Sequence, residues 1–140
     1  MNTQPLFQIQ QLVKSYEGRT ILAVDRLEIE RSEIFGLVGP SGVGKSTLLR
    51  LLNFLELPDR GVITFDGQPY GPDCEPSLAQ RRRITTVFQR PMLLHRSVAD
   101  NVAFGLKLRG APDDRGAVQA ALAEVGLAAQ ARQGAHTLSG

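Results

Sequence analysis

The chain has 140 residues, 42% of them hydrophobic, and carries a formal net charge of +2 from 16 Lys and Arg against 14 Asp and Glu. That size and apolar content suit one folded domain with a real core and exclude an intrinsically disordered chain, while no apolar run approaches the ~18 residues of a transmembrane helix. A single cysteine, Cys74, excludes an intrachain disulfide, and the start MNTQPLFQIQ lacks the basic and apolar regions of a secretory leader, so a reducing, cytoplasmic setting is expected.

Short alternating apolar stretches at 6–13 and 21–30 flank the turn YEGR and predict two strands. Residues 34–38, IFGLV, form an almost wholly apolar run, as expected of a strand covered on both faces. After the glycine-rich stretch GPSGVGKST, Leu48, Leu49, Leu51, Leu52 and Leu55 recur at helical spacing until Pro58 stops the helix. GVITFDG at 61–67 predicts another strand running into a hairpin turn, and ITTVF at 84–88 a further buried strand. Beyond Gln89 the pattern is helical. Ser97-Val-Ala-Asp100 reads as a capping box opening a segment up to Leu108, and Pro112-Asp-Asp opens another helix whose Val118, Leu122 and Val125 share a face before Gly126. The run Arg81-Arg82-Arg83 reads as a solvated face, because no aromatic residues interleave it as a nucleic-acid stacking surface requires. Cys74 reads as a loop bystander, and His95 and His136, with no acid or nucleophile near them in sequence, as ordinary polar loop residues.

Gly39, Gly44, Lys45 and Ser46 match G-x-x-x-x-G-K-[ST] between an expected buried strand and a helix N-terminus, the context that gives this pattern its meaning. Glycines let the backbone wrap closely, so that its N–H groups and the positive end of the helix point at phosphate oxygens. Lys45 is placed to reach the β- and γ-phosphates, the Ser46 hydroxyl to ligate Mg²⁺, and Thr47 to add an oxygen contact. The expected ligand is a nucleoside triphosphate.

From about Leu6 to the last residue the chain resembles the nucleotide-binding subunit of an ATP-binding-cassette (ABC) transporter. Four matches occur in the family's order: an aromatic residue in KSYEGRTILAVD, the Walker A loop GPSGVGKST, the glutamine in VFQRPMLLHRSVADNVAFGL, and the terminal TLSG. The resemblance implies an α/β P-loop core with an antiparallel β layer over 1–88, and a Q-loop and helical subdomain over 89–140, incomplete at the C-terminus. It implies ATP and Mg²⁺ at Gly39, Pro40, Ser41, Gly42, Val43, Gly44, Lys45, Ser46 and Thr47, with Tyr16 against adenine and Gln89 near Mg²⁺ and the attacking water. Leu138, Ser139 and Gly140 look like the beginning of the signature LSGGQ, which in this family covers the γ-phosphate of a second, identical subunit. The implied partners are that second subunit and the membrane subunits of an importer, with no nucleic acid and no direct membrane insertion. The implied location is peripheral, on the inner face of the cell membrane. The stretch 87–106 is most similar to importers of oxyanions such as phosphate or tungstate. Ser32 departs from the family, which usually has glycine in the turn before the Walker A strand, and this is expected to strain the turn.

Hydrolysis also needs an acidic Mg²⁺ ligand and an adjacent Glu to polarise water. In the ABC family these Walker B residues, and a switch histidine, follow the signature. Asp25, ending ILAVD, and Asp66, ending VITFD, imitate a Walker B strand, but Arg26 and Gly67 follow them rather than Glu. The expectation is a chain truncated before Walker B, and the alternative to a transport ATPase is a non-catalytic nucleotide-binding module. A polypeptide of these 140 residues should therefore bind ATP without turning it over, since loss of one positioned acid or base costs ~10²–10⁴-fold in rate. Steady-state phosphate release that disappears in Lys45→Ala would overturn that expectation.

Overall fold

The computed structural model describes residues 4–89, 92–111 and 115–138. The chain divides into two compact units, Met1–Thr86 and Val87–Gly140.

The first unit is built on an antiparallel sheet of β1 (Phe7–Tyr16), β2 (Arg19–Ile29), β3 (Arg60–Phe65) and β4 (Gln68–Tyr70), in the order β2-β1-β3-β4. Both of its tight hairpins use a pair of left-handed residues, Glu17-Gly18 at φ 50° and 76° and Asp66-Gly67 at φ 51° and 80°. That geometry matches the twist of the flanking strands. The expected strands at 6–13, 21–30 and 61–67 thus form, and the hairpin turn at Asp66 forms with them.

The core side of β1 breaks the simple alternation of a strand. Ile9 and Leu12 are both fully buried although they are three residues apart. A bulge accounts for this: Gln11 has φ 49°, and the β1–β3 register shifts between Gln10 and Val13. The extra residue turns Leu12 back to the face that Ile9 occupies. Gly61 of β3 (φ 84°) lies against the bulge so closely that a Cβ there would be 2.2 Å from the Gln11 carbonyl oxygen.

Helix α1 (Lys45–Leu52) lays Leu48, Leu51 and Leu52 into a core shared with Ile9, Leu12, Ile63, Phe65 and Tyr70. It ends earlier than the leucine spacing predicts. Asn53 caps it, its side-chain amide donating to the Leu49 carbonyl at 2.6 Å, and Phe54 then takes a left-handed φ of 51°. The bonds Phe54 N–H to Leu51 O (3.0 Å) and Leu55 N–H to Arg50 O (2.9 Å) close a Schellman motif. This turns Phe54 inward, where it is 1% exposed and meets Tyr70 and Phe65 edge-on at 5.0 and 6.0 Å. Leu49 and Leu55, expected on the apolar face, are instead exposed.

Two expected strands do not form. Residues 34–38 and 84–88 have no ladder partner among the described residues, and Ile34, Val38 and Val87 are 100%, 94% and 88% exposed. An apolar run becomes a central strand only when neighbours satisfy its backbone groups on both edges, and periodicity does not supply neighbours. A short helix the sequence reading did not anticipate, α2 (Leu78–Arg81), starts at a capping box of Ser77 and Gln80. The arginine run beside it is partly engaged: Arg81 pairs with Glu75 at 2.7 Å, and Arg83 with Asp66 at 2.5 Å while lying over the Phe65 ring.

The second unit pairs α3 (Val98–Leu108) with α4 (Arg115–Glu124) around Val98, Ala103, Val118, Leu122 and Ala135. Ser97 caps α3 as expected, accepting from the Asp100 N–H at 3.1 Å. Val125 lies beyond the end of α4 and is 65% exposed, so it does not continue the face of Val118 and Leu122. The expected opening at Pro112-Asp-Asp lies outside the described residues. No described helix is long and apolar enough to cross a membrane.

Ser32 and Phe54 hold the same left-handed backbone, at φ 61° and 51°, in opposite surroundings. Ser32 is exposed. Ser32→Gly should stabilise the fold by about 1 kcal/mol, the strain of a non-glycine residue in that region. Phe54→Gly relieves similar strain but empties a core position worth ~3–5 kcal/mol, so it should destabilise by several kcal/mol. Urea unfolding of the two variants should move in opposite directions from the parent chain.

Candidate functional site

The 39–47 loop closes on itself. The Lys45 ammonium donates to the carbonyls of Gly39 at 2.6 Å and Pro40 at 2.7 Å, drawing the two ends of the loop together. Gly44, the N-cap of α1, has φ 97° and lies against β2, where a Cβ would come 3.0 Å from the Ile21 carbonyl oxygen and 3.2 Å from Leu22 Cδ1. Only glycine fits there without moving the strand. Gly42 is also left-handed at φ 82°. These turns leave a cavity of about 400 Å³ floored by residues of the 41–47 loop and walled by Ile21. The first turn of α1 carries no acidic residue, so nothing offsets the partial positive charge of its free N–H groups. Such a cavity suits an anionic group of phosphate size and chemistry.

Tyr16 is brought to this helix from the end of β1. Asp59 holds that end, accepting from the Ser15 N–H at 2.6 Å and from Lys14 Nζ at 3.0 Å, and the Ser15 bond leads in keeping its carboxyl below the ordinary carboxylate range. The Tyr16 hydroxyl donates to Glu56 Oε2, and Glu56 also pairs with Arg50 of α1 at 3.1 Å. The bond to Glu56 holds the phenol neutral and raises its pKa above the ordinary 10.0, while the Thr47 and Arg50 side chains act in the opposite sense. Tyr16 is 38% exposed, and the Lys14 ammonium lies over its ring, 5.6 Å from the centroid. The structure therefore gathers Tyr16 with Thr47 and the start of α1, although only its position in sequence had suggested a role. Glu56, Arg50 and Ile21 were not anticipated. Glu56 meets Tyr16 across 40 residues of sequence, and no local pattern signals such a pairing.

Of the other expected site residues, Ser46 is exposed on the first turn of α1 and lines the same cavity. Gln89 belongs to the second unit, where it is exposed. Leu138 packs on the core of the second unit, while Ser139 and Gly140 lie outside the described residues. Asp66 binds Arg31 and Arg83 at the β3–β4 turn, and the Arg31 bond leads in lowering its pKa. Asp25 is exposed on β2.

Residues 22–140 match the family model described as ABC transporter. The chain is 37% identical over 136 residues to the tungstate uptake system ATP-binding protein TupC of Peptoclostridium acidaminophilum, covering 94% of this chain and 59% of that protein. It is 44% identical over 138 residues to the aliphatic sulfonates import ATP-binding protein SsuB 2 of Burkholderia cenocepacia, covering 97% and 47%. Among solved structures, cbiO1 from Clostridium perfringens, part of the ABC transporter complex cbiONQ, superposes with a TM-score of 0.85 at 31% identity, covering 97% of this chain and 56% of that one. The chain thus spans about half the length of these relatives.

The Tyr16–Glu56 bond has a titration signature. A folded-state pKa above the unfolded value means that the bond stabilises the fold below the ordinary tyrosine pKa, and that this contribution is lost as pH rises through the folded pKa. Glu56→Gln should return the Tyr16 titration toward 10.0 and leave Tyr70, raised chiefly by its own burial, where it is. NMR titration of the two tyrosine rings reads both groups separately.

Proposed function

The chain belongs to the ABC transporter family, and on that premise we propose that it binds Mg-ATP at the 39–47 loop as an ATP-binding subunit of an import system. The observation that carries this reading is the loop itself: left-handed Gly42 and Gly44, a lysine folded over the cavity, and a helix N-terminus without an acidic residue. These groups fit a polyphosphate. A bound triphosphate offers Lys45 anionic oxygens in place of the two neutral loop carbonyls, which adds charge–charge attraction to bonds whose donor is already ionised. When bound, ATP supplies the phosphoanhydride whose cleavage drives transport. Lys45 would then hold its terminal phosphates, Ser46 would ligate Mg²⁺ and the Tyr16 ring would stack on adenine, while Gln89 keeps the role beside Mg²⁺ that the resemblance implies.

The same reading assigns Leu138, Ser139 and Gly140 to the nucleotide of a second copy of the subunit. It places the pair on membrane-embedded partners at the inner face of the cell membrane. For the solute we adopt an inorganic or organic oxyanion, supported by the relatives named for tungstate and aliphatic sulfonates. Other relatives are named for methionine and for spermidine and putrescine, which is consistent with specificity residing in the partner subunits rather than in this fold.

Calorimetry with Mg-ATP tests the site. Hydrogen bonds to charged groups contribute ~1.5–3 kcal/mol, so Lys45→Ala should weaken ATP binding by about 10- to 100-fold; equal affinity would remove the assignment of Lys45. Tyr16→Ala should weaken ATP but leave inorganic triphosphate almost unchanged, because triphosphate has no ring to stack.

A further inference from the structure

Within the second unit, the segment leading into α3 and the turn before Leu138 are fastened side by side. Ala135 donates its N–H to the Arg96 carbonyl at 3.0 Å, Val98 donates to that of Gln133 at 2.9 Å, and Ser97 and Gly134 form an antiparallel bridge. The frame is tightened from within. Asn101 accepts from the Leu94 N–H at 2.8 Å, and Thr137 Oγ1 donates to the Gly134 carbonyl at 2.8 Å. It brings His95 and His136, unrelated in sequence, to a ring-centroid separation of 5.9 Å with planes tilted by 41°. Both side chains are exposed, so burial does not explain the pairing.

With metal–nitrogen bonds of ~2.1 Å, two imidazoles on one cation place their centroids roughly 5 to 6.5 Å apart. The observed separation lies inside that window. Gly134 supplies a second observation: its φ of −62° suits any residue, yet a Cβ there would lie 2.9 Å from His136 Cε1 and 3.2 Å from Nδ1. The missing side chain leaves the place that the imidazole occupies. Among the described residues no group of three or more His, Cys, Asp or Glu gathers to hold a metal, and the charged side chains on the two segments, Arg96 and Arg132, are both cationic. The protein therefore offers two imidazoles and leaves the other coordination positions to water.

We propose that His95 and His136 form an open two-histidine site for a borderline divalent cation of the Zn²⁺, Ni²⁺ or Cu²⁺ class, which clamps the segment entering α3 to the turn before Leu138. Imidazole ligands favour these ions, whereas Mg²⁺ and Ca²⁺ require oxygen donors that the site lacks. Occupancy restrains the turn that leads directly into residues 138–140.

The chain has only two histidines, so their ring signals report the site directly. Zn²⁺ titrated into the 140-residue chain at pH 7.5 should bind with one ion per chain and shift the NMR signals of both rings to a common end point, with Mg²⁺ shifting neither. The exposed thiol of Cys74 is the competing soft ligand, so the Cys74→Ser chain should give the same result. His95→Ala or His136→Ala should each abolish the calorimetric signal. Four outcomes would overturn the site: no Zn²⁺ binding, movement of one ring only, loss of binding in Cys74→Ser, or full affinity in either single-histidine chain. The ring titration needs no histidine substitution and decides the matter even where a variant folds poorly.

Discussion

The left-handed turn at Phe54 is the constraint on which the first unit depends. By leaving helical geometry there the chain accepts backbone strain of order 1 kcal/mol, and in return it buries a whole aromatic side chain worth several times as much. The sign of that balance decides three things together. It stops α1 after eight residues, fills the gap between the helix and the sheet, and sends residues 55–59 back toward β1. Had α1 continued to Pro58, as the leucine spacing suggests, Glu56 would project from a helix rather than turn back to Tyr16.

The loop inherits its shape from that arrangement. The apolar face of α1 anchors the helix to the sheet, and Gly44 sets its first residue so close to β2 that a Cβ would crowd the Ile21 carbonyl. The Lys45 ammonium then has nowhere better to go than the carbonyls of its own loop. A cation held by neutral acceptors beside unpaired N–H groups is poised for an anion, because exchanging a carbonyl for a charged oxygen strengthens each bond and the backbone is already arranged. Of the two carboxylates that imitate a Walker B strand by sequence, Asp66 is held by two arginines and Asp25 is exposed on β2.

Much of this was legible in the residues. The glycine spacing of 39–47, the alternation of β1 to β3, the Asp66-Gly67 turn and the Ser97 cap are local signals, since each depends on residues a few positions apart whose backbone preferences act without help. The same logic misled at 34–38 and 84–88. There the apolar run predicts a buried strand, but what makes a strand is a hydrogen-bonding neighbour that the run itself does not contain. The bulge at Gln11 was equally invisible, because it answers to Gly61 on another strand.

The sequence by itself determined the shape of the 39–47 loop, the hairpins and the helix starts, because glycine, turn and capping residues act on their own backbone. Tertiary structure decided where α1 ends, which groups hold Tyr16, and that His95 and His136 face one another. Those outcomes rest on side chains or segments tens of residues apart that meet only after the core has formed, so their energies are absent from any window of the unfolded chain.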